Sequence, residues 1–300
     1  MLDTVGLTCA VETRVDPMGL EARGWTVHTV SNAKDGVSVW ASLHCRAAGD
    51  ARLRYFANAG QLALEVSLPK LVMGDNASLL SWPACAAGLV RSGELAGDVL
   101  GAVLPPIESW QVFRLDPVWA WACDPGPYLA ALHLGRLRGS QVAQEAGSVR
   151  WRSLRSGSIF ARLYDKSQEQ GHAVGLPTRF ERQLRPGKQV IKVDGERIGR
   201  TVGDLNESDL LTILKDGAAQ VGLSEPVRGV SAARSVLVSE LGRRAGVNLF
   251  RVLLEARELG GFASDIAPDT RRKYEGQLKR AGVGMLSLDD AELPGLQVGA

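Results

Sequence analysis

Residues 51–68 read ARLRYFANAGQLALEVSL. This stretch decides the fold class. Two strand-like runs flank Asn58-Ala-Gly60, a short loop with the residues that tight hairpins favour. In the second run Leu62, Leu64, Val66 and Leu68 fall on one face, and Ala63, Glu65 and Ser67 on the other. An alternating hairpin predicts an antiparallel sheet with one apolar face. Working outward, VGLTCAV, WTVHTV and VSVWASLH precede it as further strands, and SWQVFRLDPVWAW follows as a long strand interrupted by Pro117. Between them, residues 76–95 read as a helix, with Pro83 near its first turn. Residues 127–144 read as a second helix. Residues 149–154, 158–166, 178–184 and 190–193 return to strand patterns.

The composition shifts near residue 200. Residues 204–217, 231–245, 248–259 and 268–281 show helical periodicity, with Gly246, Gly260-Gly261 and Gly282 as breaks. The expected architecture is therefore α+β. A mainly antiparallel sheet occupies residues 1–198, and an all-helical domain occupies 199–300.

The 300 residues suit about two domains. Hydrophobic residues make up 45% and charged residues 23%, which excludes collagen-like and disordered chains. The longest uncharged run, residues 76–90, is too short for a spanning helix and contains Pro83. The N-terminus lacks a signal-peptide pattern, and Cys9, Cys45, Cys85 and Cys123 are scattered, so a cytoplasmic location without a membrane partner is expected. The net charge of +2 is uneven. Residues 150–200 hold twelve Lys/Arg against five acids, +7 in one segment, which leaves −5 elsewhere. Such an excess is a possible polyanion footprint.

Nucleotide-binding loops, serine-hydrolase elbows and zinc-protease motifs are absent from the sequence, and His28, His44, His133 and His172 share no ligand spacing. What remains is acids, one apt tyrosine and many cations. In IFARLYDK, strand alternation projects Arg162, Tyr164 and Lys166 together. A tyrosine flanked by cations suits attack on a phosphodiester, because positive charge favours the phenolate and can hold the phosphate. Glu65, Asp116 and Glu181 each sit mid-strand on a polar side. If their strands share a sheet, three carboxylates without histidine would suit Mg²⁺ or Mn²⁺. Arg271, Arg272 and Lys273 crowd the last helix, which suits phosphate contacts along duplex DNA. Trp119, Trp121 and Trp151 suit either core packing or base stacking.

In order along the chain, several motifs resemble the phage/plasmid replication initiators of the gene II/X family, known from filamentous phages. They are Met1-Leu-Asp-Thr-Val-Gly-Leu7, Ser67-Leu-Pro-Lys-Leu-Val-Met-Gly-Asp-Asn76, Arg114-Leu-Asp116, Tyr164-Asp-Lys166 and Arg179-Phe-Glu-Arg-Gln-Leu-Arg185, followed by a basic helical tail. Two departures stand out: Asp75 where a histidine is common, and no second acid close behind Asp116.

The resemblance implies a Rep endonuclease-like sheet and rolling-circle replication initiation. Such a protein nicks one strand at the origin through a covalent 5′-phosphotyrosine and rejoins it after a round of synthesis. Tyr164 would be the nucleophile, with Lys166 and Arg162 as its cations. Asp116, Glu181 and Glu65 would hold the metal. Arg179, Arg185, Arg271, Arg272 and Lys273 would contact DNA. The implied partners are origin DNA, duplex and displaced single strand, with a host polymerase and helicase. The alternative is a non-catalytic, sequence-specific nucleic-acid-binding protein, which needs the basic residues but neither the acids nor Tyr164.

Overall fold

The computed structural model describes residues 1–32, 36–135, 140–156, 159–185, 192–193, 196–197, 201–259, 262, 266–287 and 292–299. The fold is α+β with mainly antiparallel sheet. In chain order the first elements are β1 (Leu2–Ala10), α1 (Pro17–Glu21), β2 (Thr26–Asn32), β3 (Gly36–Cys45), β4 (Ala51–Phe56), β5 (Gln61–Ser67), α2 (Leu68–Met73), α3 (Trp82–Leu100) and β6 (Gln111–Trp121). Next come α4 (Gly126–Ala130), β7 (Leu132–His133), β8 (Ser140–Glu145), β9 (Ser148–Ser153), β10 (Ile159–Asp165), α5 (Lys166–Gln170) and β11 (Thr178–Arg182). The remainder holds β12 (Lys192–Val193), β13 (Glu196–Arg197), α6 (Glu207–Gln220), β14 (Val227–Arg228), α7 (Val230–Leu241), α8 (Arg243–Leu259), α9 (Pro268–Arg280) and β15 (Met285–Leu286).

The chain divides into two compact units, each made of two segments: Met1–Val118 with Gln183–Leu210, and Trp119–Arg182 with Leu211–Ala300. The sequence break expected at residue 198 falls inside the second segment of the first unit. The region after it is helical apart from β14 and β15.

In the first unit, strands run in the order β2-β3-β4-β5-β1-β6, every neighbour antiparallel. The hairpin read from residues 51–68 forms as expected, with Tyr55 opposite Leu62 and Leu53 opposite Leu64. Leu53, Tyr55, Leu62, Leu64 and Val66 are buried, joined by Val5 and Leu7 of β1. Helix α3 starts at Ser81, whose Oγ accepts from the Ala84 amide, and stops at the left-handed Gly101. Its buried Cys85, Leu89, Ser92 and Ala96 recur at three- and four-residue spacing, which makes one inward stripe. Pro117 lies inside β6 beside a register shift, and Val118 supplies the amide bond to the Met1 carbonyl instead.

The second unit holds the antiparallel order β11-β10-β9-β8 and a small sheet, β14-β15-β7. Val149, Trp151, Ala161, Leu163 and Phe180 project from the strands onto Leu214 and Ala218 of α6 and Val221 just after it. A second cluster joins Leu237, Leu249, Leu253 and Leu278 of α7, α8 and α9.

Two expectations are corrected. Residues 127–144 are not one helix: α4 has five residues, β7 pairs with β15, and β8 pairs with β9. The apolar run from Leu129 to Leu134 fits either period, and strand pairing decided it. Gly246 is not a break either. It lies inside α8, where a Cβ would meet the Leu237 carbonyl oxygen at 2.5 Å. The glycine is what lets α7 and α8 approach; the turn is made by Gly242 at φ 79°.

His133 of β7 is buried edge-on against Trp151, ring centroids 5.4 Å apart, with Nε2 2.9 Å from the Tyr128 carbonyl. Burial pushes its pKa down from 6.5 to about 4. The folded state thus keeps His133 neutral where the unfolded chain protonates it. Its contribution is complete above pH 6.5 and is lost as pH falls towards 4, a loss of up to about 3 kcal/mol. Denaturant titrations from pH 4 to 7 will show a steep stability slope in the wild type. A His133→Leu protein will show a shallower one, and equal slopes would contradict this account.

Candidate functional site

In the first unit, Glu65 on β5, Gly6 on β1 and Arg114 on β6 stand in one cross-strand row. The strands at either side of β1 are two positions apart, too far for ordinary neighbours to pair, but Arg114 lies across Gly6. Its Nη1 donates to Glu65 Oε2 at 2.6 Å, and its Nε and Nη2 donate to Asp116 Oδ2 at 2.8 and 2.5 Å. Gly6 makes this possible. A Cβ there would meet the Arg114 Cβ at 2.7 Å and the Phe113 ring at 2.6 Å. The crowding follows from the register shift between Gly6 and Leu7, which fits Phe113 into β6 as an extra residue.

Asp116 is 1% exposed, so its charge must be met internally. Burial acts to lower the Arg114 pKa, but Asp116 and Glu65 together outweigh it and push the guanidinium above its ordinary value.

In the second unit, Arg162 faces Glu181 across β10 and β11, and Tyr164 faces Arg179. Arg162 donates through Nε to Glu181 Oε2 at 2.9 Å and reaches Glu169 Oε1 through Nη1 at 3.3 Å. Its guanidinium lies 4.0 Å from the Tyr164 ring centroid. Lys166 is not on the strand as expected. It is the first residue of α5, behind the capping Asp165, which accepts from the Gln168 amide. The turn still returns its Nζ to 5.9 Å from the Tyr164 ring, where it also bonds Glu169. Burial acts to raise the Glu169 pKa, but the Lys166 hydrogen bond and the charges of Arg162, Lys166 and Arg179 overcome it and hold the carboxyl below its usual range.

Arg162, Tyr164 and Lys166 therefore do come together, with Glu181 beside them. Sequence reasoning missed Glu169, although its spacing of three from Lys166 on a helical turn was available. It also missed Arg114 as the bridge in the first unit.

Burial changes several expected roles. Tyr164 is 3% exposed, and Lys166 and Arg179 are buried, so Arg179 is placed against Glu169 and Tyr164 rather than at the surface. Arg185 is exposed. On α9, Arg271 bonds Glu275 and stacks over Phe262, Arg272 bonds Asp269, and Lys273 is exposed. Trp151 is core, and Trp119 and Trp121 pack against the same cluster.

The acids expected to hold Mg²⁺ or Mn²⁺ are drawn into ion pairs with arginines. Among the described residues no group of three or more His, Cys, Asp or Glu is placed to hold a metal ion. Glu65 Oε2 and Asp116 Oδ2 are engaged by Arg114, and Glu181 Oε2 by Arg162, so a guanidinium holds one oxygen of each carboxylate. No helix among the described residues is long and apolar enough to cross a membrane.

An Arg114→Met substitution will leave Asp116 buried without its main cation and will destabilise the fold by about 2–3 kcal/mol, read by chemical denaturation. Adding Asp116→Asn will recover part of the loss. A single substitution with no measurable cost would contradict the bridge.

Comparisons with known proteins add little to this geometry. No family model matches the chain, and no curated protein does. Among solved structures, the chain is similar to the TBP of Methanococcus jannaschii, at 7% identity over 61% of this chain and 87% of that one, TM-score 0.28. It is also similar to a rolling circle replication initiator protein from Geobacillus stearothermophilus, at 13% identity over 62% of this chain and 73% of that one, TM-score 0.25. Likenesses this low leave the function to be argued from the residues.

Proposed function

We propose that the chain is a rolling-circle type replication initiator that nicks one DNA strand through Tyr164. The observation that carries the reading is the cation group around this phenol: Arg162 over its ring, Lys166 nearby and Arg179 opposite it in register. Among the described residues, Arg162, Lys166 and Arg179 meet the carboxylates of Glu169 and Glu181 next to the phenol. In the reaction the Tyr164 Oη forms a bond to phosphorus and the bond from phosphorus to the 3′ oxygen breaks. The phenolic proton leaves to solvent base, and the 3′ oxygen takes a proton. The phosphotyrosine keeps the phosphodiester energy, so rejoining needs no nucleotide. Lys166 and Arg162 stabilise the developing negative charge. Origin DNA is the substrate, and the proposed setting is a bacterial host cytoplasm.

Glu169 spans Lys166 and Arg162 as a phosphate would. Strand entry then exchanges a carboxylate for a phosphate at the same cations. A Glu169→Gln protein will bind a labelled origin duplex several-fold more tightly than wild type at low salt, measured by fluorescence anisotropy. Unchanged affinity would remove Glu169 from the DNA path.

The burial of Tyr164 favours a second reading, in which the protein binds DNA without cutting it. Supercoiled origin plasmid incubated with Mg²⁺ separates the two. Under the first reading a covalent protein–DNA adduct forms and is lost in Tyr164→Phe. Specific binding without any nick supports the second, and a nick unaffected by Tyr164→Phe rules out this tyrosine.

A further inference from the structure

The polar face of the first unit's sheet carries a feature that the tyrosine reading does not use. His28 on β2, Trp40 on β3 and Phe56 on β4 stand directly opposite one another in register. Their side chains form a column: the His28 and Trp40 rings stack at 3.8 Å and 13°, and Trp40 and Phe56 sit 6.5 Å apart at 31°. All three are only partly buried. The next row holds Thr26, Ser42 and Arg54, and the one after it His44 and Arg52. Ser42 Oγ bonds His28 Nε2 at 3.0 Å, which fixes the imidazole against the indole.

The charges around the column are not balanced. His44 and Lys70 are held by Asp50, and Glu65, opposite Arg52 in register, is taken by Arg114. Arg52 and Arg54 are exposed and form no ion pair among the described residues. Strand β2 ends the sheet order, so among the described residues no further strand of that sheet covers the outer side of His28.

We infer that this face is a stacking platform for single-stranded DNA. Bases extend the His28–Trp40–Phe56 column, and Arg52 and Arg54 meet the phosphates. Aromatic rings beside unpaired cations match a strand with exposed bases. A duplex hides its base faces and offers phosphate alone. The inference rests on the reading of the chain as a DNA-processing protein and adds a contact separate from Tyr164.

The test uses full-length protein and a fluorescein-labelled ten-nucleotide oligothymidylate, with binding followed by anisotropy. Trp40→Ala is expected to weaken binding by about tenfold or more, Arg54→Glu to weaken it with a smaller salt dependence, and Trp40→Phe to keep most of it. Circular dichroism and the melting midpoint report folding. If Trp40→Ala fails to fold, His28→Ala, at the sheet's terminal strand, serves in its place and should also weaken binding. Folded variants that bind the oligonucleotide like wild type would overturn the platform, as would a same-length duplex binding equally well and with equal sensitivity to Trp40→Ala. Tyr164→Phe is expected to bind the oligonucleotide like wild type. No adduct from the wild-type protein together with intact platform effects would sink only the nicking reading, and a wild-type adduct lost in Tyr164→Phe without platform effects would sink only the platform.

Discussion

A carboxylate removed from water needs a cation, and the first unit is arranged around that need. Asp116 is 1% exposed on a strand whose neighbours are apolar. Arg114 meets it, but a guanidinium has more donors than one carboxylate can use. The remaining donor crosses β1 to Glu65, which requires the space that Gly6 leaves open. Three strands are thus coupled by one side chain. The extra residue in β6 and the glycine in β1 are two halves of one solution: the bulge supplies the crowding, and the absent Cβ relieves it.

The second unit follows the same rule with more charges. Arg162 serves Glu181 and Glu169, Lys166 serves Glu169, and Arg150 and Arg152 serve Glu145 of β8. Among the described residues of the +7 segment, Arg150, Arg152, Arg162 and Lys166 are therefore engaged by carboxylates of the protein itself. Several of its cations are buried or shared, so a count of charges overstates what a polyanion would meet. The placement of Tyr164 has a related consequence. Its ring lies under a guanidinium that is itself tied to two carboxylates, so under the proposed nicking function an incoming phosphate would compete with Glu169 for cations before it meets the phenol.

Much of the sheet was legible because alternation is a local signal. The hairpin at residues 51–68, the shared face of Arg114 and Asp116, and the approach of Arg162 to Tyr164 all follow from period two and from a turn. The helix expected at 127–144 failed because apolar residues at Leu129, Leu132 and Leu134 suit both periods, and the partner that settles it, β15, is about 150 residues away. The bridging role of Arg114 was not legible. It depends on which strands flank β1, and no local pattern encodes that β5 and β6 do so. Glu169 was hidden differently. The strand was expected to continue through Lys166, and only the capping by Asp165 turns the chain back over the tyrosine.

The polar face of a strand thus holds two populations that look alike in sequence. Arg114 and Arg162 sit at alternating positions in strands, as do Arg52 and Arg54. The first pair is spent on carboxylates within its own sheet, whereas the second has none among the described residues. The difference lies in the acid placed across the strand. Glu65 stands opposite both Gly6 and Arg52, and it goes to Arg114 over the glycine. That choice leaves Arg52, two rows from the aromatic column, without an ion pair among the described residues. One glycine therefore links the two features, because the bridge that satisfies the buried acid also keeps positive charge on the open side of the sheet.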